Sequence, residues 1–257
     1  MNEYRLQLLA ITALSIAGST FLGALGGLLV RNLPHKCNDV ILGAASGVML
    51  AAAVLGLIIP AVECETNYAL ILTLAGVFSG ALLISVIDRV TPHLHHLVGL
   101  DTEEHVHNQG IGKTLLFVLA IAIHKIPEGL AAGVSFGTGQ LNDVITVAGS
   151  ISLQNVPEAM VIIAPLLTIG VSMRRTLLIA LGIGLMSMGS TVVGFALVTL
   201  VQTLLPFFLA FAGGTMLYVI SDEMIPETHS HGFEKQATFA LLAGFMLIVV
   251  LQKLLGG

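Results

Sequence analysis

The chain has 257 residues, of which 56% are hydrophobic and only 10% are charged. Soluble domains carry about a quarter charged residues, and a mean hydropathy of +0.97 is too high for a water-exposed surface, so we expect the chain to lie in a lipid bilayer. The net charge of −5, without a basic stripe or an aromatic-interleaved Lys/Arg run, excludes a nucleic-acid partner.

A membrane-spanning helix needs about 20 mostly apolar residues, and the chain offers eight such segments. The first begins near Leu6 and is too long for a signal-peptide core, so we expect it to remain as an uncleaved span. The predicted spans, numbered 1 to 8, cover 5–30, 40–60, 69–88, 113–136, 144–170, 176–201, 205–225 and 235–255. The sequence therefore predicts an all-α integral membrane protein with eight transmembrane helices in a single transmembrane domain, 1–257.

Basic residues are unevenly distributed among the seven connections between these spans. Seven of the ten Lys and Arg residues lie in the first, third, fifth and seventh connections, and the second, fourth and sixth hold none. The positive-inside rule places basic connections in the cytoplasm. We therefore predict a multi-pass protein of the plasma (bacterial inner) membrane with both termini outside the cytoplasm.

Spans 2 and 7 share a short internal similarity. The stretch 45–50, Ala-Ser-Gly-Val-Met-Leu ahead of Pro60, is similar to 212–217, Ala-Gly-Gly-Thr-Met-Leu ahead of Pro226, with one residue of slippage. On the predicted topology these spans run in opposite directions. The similarity indicates an inverted repeat, spans 1–3 against spans 6–8 around spans 4 and 5, an arrangement from which many secondary transporters build a midplane site.

Spans 4 and 5 carry paired polar motifs, His-Lys-Ile-Pro-Glu at 124–128 and Gln-Asn-Val-Pro-Glu at 154–158. His124 and Glu128 are four residues apart and share a helix face, and Gln154 and Glu158 repeat that spacing. Ionisable groups at membrane depth are costly and usually mark a function. One imidazole, two carboxylates and an amide suit Zn²⁺, Fe²⁺, Mn²⁺ or Cd²⁺, so we predict a site for a transported divalent metal ion and no other cofactor.

Four further polar residues lie within the spans. Asn155 offers a neutral oxygen ligand and Glu223 of span 7 a carboxylate, whereas the neighbouring Asp222 is expected to cap or pair. Lys125 needs buried partners, for which Glu158, Glu223 and Asn155 are candidates. Our hypothesis is that its ammonium occupies the place of a second cation; the alternative is that it snorkels toward the membrane surface.

The third connection, about 89–112, is rich in histidine and lies in the cytoplasm on the predicted topology. Clustered His with acids on a flexible segment can capture metal loosely, although a solvated loop with chance histidines is the alternative. The same two interpretations apply to His229 and His231 in the seventh connection. The histidines of the third connection are His93, His95, His96, His105 and His107.

At these residues the sequence resembles the ZIP (Zrt/Irt-like) divalent metal transporters. The stretch 123–130 looks like the fourth-span family motif His-Asn-x-Pro-Glu-Gly, 154–159 looks like its fifth-span counterpart, and 222–226 looks like the acidic stretch of the seventh span. A Gln at the start of the fifth-span motif is similar to the bacterial GufA-like branch.

The resemblance implies eight helices, transport of Zn²⁺ and similar ions into the cytoplasm, and homodimers, which members commonly form. It also implies two adjacent metal positions between spans 4 and 5. The first would be held by His124, Glu128, Gln154 and Glu158. The second would be held by position 125, Asn155, Glu158 and Glu223, with Glu128 shared.

Three residues depart from the family pattern. Lys125 replaces the usual Asn, which implies that an ammonium and not a metal fills the second position. Ala159 replaces Gly, a packing change, and Leu57 stands where some relatives have an acid, which argues against an accessory site in span 2.

Other functions remain open at this point. An intramembrane metal-dependent hydrolase would need an open metal position, a water and a general acid or base, and the spans hold one His and no His-Glu-x-x-His pair. A transporter of organic solutes would need a larger pocket with an anion-binding helix end. A metal sensor without flux would have the same site.

Overall fold

The computed structural model describes residues 3–29, 34–97, 122, 124–168 and 170–255. These residues form ten α-helices, and the described part of the chain contains no strand. The helices are α1 Glu3–Leu29, α2 His35–Ala51, α3 Ile59–Val62, α4 Ala69–Leu97, α5 124–134, α6 Leu141–Thr168, α7 Met173–Leu200, α8 Leu205–Val219, α9 Ile225–Thr228 and α10 Glu234–Leu255.

Two of the spans are built from two α-helices each. A π-helical stretch, Ala52–Ile58, joins α2 to α3 in span 2, and another, Ile220–Met224, joins α8 to α9 in span 7. Spans 1, 3, 4, 5, 6 and 8 are α1, α4, α5, α6, α7 and α10. Short 3₁₀ turns, Ser135–Thr138 and Gln202–Leu204, follow α5 and precede α8.

The predicted all-α membrane architecture is confirmed. Within the described ranges, six helices are long and apolar enough to cross a membrane, and they are spans 1, 2, 3, 6, 7 and 8. Span 3 was predicted to end at 88; the apolar part of its helix ends near there, at Ile87, but the helix itself continues past Pro92 to Leu97. Of predicted span 4, 124–134 is helical, whereas 113–121 lies outside the described residues.

The spans pack as two bundles. Span 3 lies along span 7, and span 2 lies along span 8, whereas span 1 packs against spans 5 and 6. Span 4 joins the latter group, since a Cβ on Gly129 or Gly133 would collide with the backbone oxygens of Ser187 and Thr191 in span 6. We call these the 2-3-7-8 bundle and the 1-4-5-6 bundle.

Matched glycines support the predicted repeat. Gly47 of span 2 leaves no room for a Cβ beside the carbonyl oxygen of Leu241 in span 8, and Gly214 of span 7 leaves none beside that of Val77 in span 3. Gly47 and Gly214 occupy equivalent places in the two similar stretches. Spans 2 and 8 therefore meet as spans 7 and 3 do, by the close backbone approach that small residues permit in lipid.

The reciprocal contacts obey the same relation. A Cβ on Gly244 would meet the carbonyl oxygen of Ala44, and one on Gly80 would meet that of Phe211. A shift of 167 positions relates Ala44 to Phe211 and Gly47 to Gly214, and a shift of 164 relates Gly80 to Gly244. Two independent pairs with constant offsets confirm that spans 2 and 3 repeat as spans 7 and 8.

The one-residue slippage between the two copies falls in the segment that holds the π-helical stretches. Each stretch lies between the shared motif and the proline, with seven residues in span 2 and five in span 7. A residue inserted into an α-helix is accommodated as a π-bulge. The extra residue before Pro60 therefore changes the local winding of span 2 without changing the packing of its glycines.

One end of the molecule holds a cavity of about 820 Å³. Its lining comes from the second, fourth and sixth connections and the end of span 8, and it includes the acids Glu63, Glu65 and Asp143 together with Cys64. The three connections without Lys or Arg therefore meet at one end, as the predicted alternation of the spans requires.

Candidate metal-transport site

The polar motifs of spans 4 and 5 converge on the side chain of Lys125. Its Nζ donates hydrogen bonds to Glu128 Oε2 at 2.6 Å, to Asn155 Oδ1 at 2.7 Å and to Glu158 Oε2. Lys125 is 1% exposed and Glu128 2%. The side chain does not snorkel, because three buried oxygen acceptors satisfy the three donors of its ammonium.

Breaking such a network costs far more than forming it stabilises the protein. Removing one member of a buried ion pair costs about 3–5 kcal/mol, because the remaining charge is left unpaired in a low-dielectric interior. Here Lys125 holds apart two carboxylates, Glu128 and Glu158, that would otherwise face each other without a counter-charge. The site therefore requires a cation at this point.

Sequence reasoning named Glu158 and Asn155 as partners of Lys125 correctly but missed Glu128. Glu128 lies three residues after Lys125, and the (i, i+3) spacing on a helix brings such side chains together. The (i, i+4) spacing alone places Glu128 on the helix face of His124. The (i, i+3) spacing of Lys125 and Glu128, together with the length of the Glu side chain, was the signal that could have predicted this contact.

Glu223 contacts His124 and not Lys125. The Nε2 atom of His124 lies 2.8 Å from Glu223 Oε1, with the His side chain buried and the Glu side chain one-third exposed. The expectation that Glu223 would join position 125 differs from this arrangement, because the π-helical stretch Ile220–Met224 directs the carboxylate toward the imidazole. This contact links span 4 to span 7, and thus one bundle to the other.

Span 5 contributes an unsatisfied amide. Gln154 is completely buried, and among the described residues neither its Oε1 nor its Nε2 has a hydrogen-bond partner; Glu158 Oε1 also lacks one. A buried polar group without a partner costs about 1–3 kcal/mol. These atoms flank the Lys125 network and are the kind of oxygen donors that a divalent cation accepts.

Two hydrogen bonds with residues outside the motifs support the site, and sequence reasoning missed both. Asn155 Nδ2 donates to the carbonyl oxygen of Ile16 in span 1 at 3.3 Å, which orients Oδ1 toward Lys125. The Ser187 hydroxyl of span 6 donates to the carbonyl oxygen of Lys125 at 3.4 Å. The network is thereby anchored to all four helices of the 1-4-5-6 bundle.

In this state the side chains are committed to one another. No group of three or more His, Cys, Asp or Glu side chains in the described ranges stands ready to hold a metal ion. Lys125 engages an oxygen of both glutamates, and Glu223 engages His124. Loading of an ion between spans 4 and 5 therefore has to exchange at least one of these contacts.

The remaining predicted residues lie elsewhere. Asp222 is exposed, and Leu57 is fully buried in the apolar core of spans 2, 5 and 7. The helix of span 3 includes the positions of His93, His95 and His96, whose side chains lie outside the described part, as do His105 and His107 altogether.

Comparison with known proteins identifies the family. The sequence profile described as "ZIP Zinc transporter" matches residues 98–252, more than half of the chain. The chain is 38% identical to "Zinc transporter GufA" of Myxococcus xanthus, with 96% of this chain and 98% of that protein covered. It is 36% identical to "Zinc transporter ZIPB" of Bordetella bronchiseptica over 93% of this chain and 78% of that protein.

A more distant relative extends the same pattern. "Zinc transporter ZupT" of Chlorobaculum parvum is 29% identical over 95% of this chain and 96% of that protein. Because the profile covers more than half of the chain and a relative at 38% identity spans almost all of both sequences, the chain belongs to the ZIP zinc transporter family, as the motifs of spans 4 and 5 predicted.

Proposed function

We propose that this ZIP family member moves divalent metal ions, Zn²⁺ foremost, across the membrane into the cytoplasm through the site between spans 4 and 5. The observation that carries the proposal is the buried Lys125 ammonium among oxygens of Glu128, Asn155 and Glu158. Two carboxylates in the membrane interior need a positive charge beside them, and a transported metal ion can supply such a charge. The relatives named zinc transporters make zinc the first candidate.

The transported ion is held by His124, Glu128, Gln154 and Glu158. The unsatisfied Gln154 amide and Glu158 Oε1 support this set, because an arriving ion gives both a partner. Glu223 exchanges its contact with His124 for one with the ion as the imidazole becomes a ligand. Weakly held nitrogen and oxygen ligands without thiolate allow release.

Lys125 substitutes for a second ion, with Asn155 and Glu158 as its fixed partners. The site is accordingly mononuclear. We further propose that the protein needs no resident cofactor, that it is a homodimer in the plasma membrane with both termini outside, and that His93, His95, His96, His105 and His107 collect ions in the cytoplasm.

Two other functions make different predictions. A metal-dependent hydrolase needs an open metal position with an activated water, but here the glutamates are closed on an ammonium. A sensor without flux would bind the ion and stop there. Uptake into proteoliposomes separates them: we expect Zn²⁺ uptake that His124→Ala and Glu158→Ala each abolish. Metal binding without flux in the unsubstituted protein would overturn the proposal.

The same proteoliposomes can be used to measure which ion is preferred. Competition of Cd²⁺, Fe²⁺ and Mn²⁺ against Zn²⁺ uptake should rank the ions by their affinity for one imidazole with carboxylate and amide oxygens. The expected order follows the general preference of such sites for Zn²⁺ over Mn²⁺.

The substitution test for Lys125 is stoichiometry. Lys125→Ala leaves the oxygens of Glu128, Asn155 and Glu158 around an unfilled position, so the number of Zn²⁺ ions bound per chain should rise by one. Lys253→Ala, a change in the last turn of span 8, is the matched control and should leave the number unchanged. A Lys125→Ala protein that binds no additional ion would contradict the substitution hypothesis without touching the transport proposal.

A further inference from the structure

A second pair of metal-ligating groups lies outside the transport site. Asp39 of α2 and His231, in the turn between α9 and α10, are joined across 3.1 Å from Asp39 Oδ1 to His231 Nδ1. They are 192 positions apart in sequence and meet because span 2 packs along span 8. Both belong to connections that the positive-inside rule places in the cytoplasm.

The Asp39 carboxylate is buried without its full set of partners. Asp39 is 2% exposed, and its second oxygen, Oδ2, has no hydrogen-bond partner among the described residues. Neither Lys nor Arg forms an ion pair with it in that part of the chain. A buried carboxylate normally gains a counter-charge or several donors, and the one contact from His231 leaves the second oxygen of Asp39 without a partner in the described residues.

A divalent cation would complete this pair. Aspartate oxygen and imidazole nitrogen are common ligands of Zn²⁺ and related ions, and the Asp39–His231 separation brings both types together. Among the described residues two protein ligands are present, so water would complete the coordination and the ion would be held loosely. His231 Nδ1 contacts Asp39 as well as the hydroxyl of Ser230. In the described part of the chain His229, two residues away, contacts the carbonyl oxygen of Ile225 and Thr238 Oγ1 but no carboxylate.

Further ligands lie between this pair and the transport site. Glu227 of α9 is exposed and lies about one turn after Glu223, which contacts His124. His231 follows four residues later. Oxygen and nitrogen ligands therefore occur along the cytoplasmic end of span 7 as far as Asp39.

We propose that Asp39 and His231 form a second, low-affinity site for a divalent cation at the cytoplasmic ends of spans 2 and 8, which receives the ion as it leaves the transport site. The place of this site in transport rests on the proposed function, but its ability to bind metal does not. Binding is therefore the primary test.

The experiment uses full-length protein in which His124→Ala and Glu158→Ala remove the transport site and Gln replaces the five histidines of the third connection. Titration with Co²⁺, followed by its visible absorption, should detect one remaining site. Asp39→Asn or His231→Gln should abolish that signal, whereas His229→Gln should not. A signal that survives both substitutions, or no signal before them, would overturn the proposal.

A gain-of-function variant guards against misfolding as an explanation. In a Cys37→Ser background, His231→Cys should create a thiolate–carboxylate pair that binds Cd²⁺, with the ultraviolet charge-transfer band of a Cd–S bond. His229→Cys is the matched control and should give no band. A band of equal strength in both variants would contradict a site at Asp39. Zn²⁺ uptake by the unsubstituted protein tests the transport proposal on its own, so a failure of that proposal can be distinguished from a failure of the Asp39–His231 site.

Discussion

The two bundles solve the problem of lipid packing in different ways. The 2-3-7-8 bundle is held by backbone-to-backbone approach at Gly47, Gly214 and their counterparts, and it needs no buried charge at these contacts. The 1-4-5-6 bundle buries an ammonium and two carboxylates and anchors them to carbonyls of neighbouring helices. The helices of the first bundle pack closely because glycine has no side chain. The second bundle instead buries charged side chains, whose desolvation is unfavourable, and these form the candidate metal site.

The largest effect should come from the charged network. In the presence of a chelator, Lys125→Met should lower the free energy of unfolding by about 3–5 kcal/mol, because Glu128 and Glu158 lose their counter-charge. Thermal unfolding of the detergent-purified protein measures this. Adding Glu128→Gln to Lys125→Met should recover part of the loss, and a double variant as unstable as the single one would contradict the electrostatic cause.

A smaller loss is expected from the glycine contacts. Gly47→Ala and Gly214→Ala should each cost about 1–3 kcal/mol, because the added Cβ separates spans 2 and 8 or spans 7 and 3. The repeat predicts similar losses for both. Gly182→Ala is the control, since nothing lies within 4 Å of a Cβ there; a loss at Gly182 as large as at Gly47 would count against close approach as the cause.

The contact between the bundles should matter less for stability than for transport. Glu223→Gln keeps a hydrogen bond to His124 but removes the charge, so unfolding should change by about 1 kcal/mol. The rate of Zn²⁺ uptake should fall more steeply than this, because on the proposed mechanism Glu223 exchanges His124 for the ion. Leu57→Val, a conservative change in the apolar core, provides the comparison; equal uptake losses would contradict a specific role for Glu223.

The two cysteines test the orientation with no effect on stability. Cys64 lines the acidic cavity and Cys37 is exposed in the first turn of α2. A membrane-impermeant maleimide should label Cys64 in intact cells and Cys37 only after permeabilisation. Burial raises the pKa of the Cys64 thiol, so its labelling rate should still be increasing at pH values where an ordinary thiol, with a pKa of about 8.5, has levelled off. Cys64→Ser removes the external signal.

Much of this architecture could be predicted from the sequence because membrane solvent restricts the choices. Apolar length and the alternation of Lys and Arg predicted the number and order of the spans. Asn155 and Glu158 were predicted correctly as partners of Lys125, because all three residues belong to the paired motifs of the adjacent spans 4 and 5. The resemblance of 45–50 to 212–217 predicted a repeat that the glycine contacts confirm.

The sequence failed where contacts depend on local winding or on distant backbone. The direction of Glu223 follows from a π-helical stretch, which has no clear signature in composition. The hydrogen bonds from Asn155 to Ile16 and from Ser187 to the Lys125 backbone depend on helix packing across more than 60 positions. Asp39 and His231 were further apart still, and only the packing of span 2 along span 8 brings them together.

The internal ammonium also has an electrical consequence. Lys125, Glu128 and Glu158 carry a formal charge of −1 together, and a bound divalent ion changes this to +1. Each elementary charge that crosses a membrane potential of 100 mV gains or loses about 2.3 kcal/mol. For a site that moves across the membrane with its ion, a negative cell interior would therefore favour inward movement when the site is loaded and outward return when it is empty. Without Lys125 the same two states would carry −2 and 0, and the voltage would act only on the return.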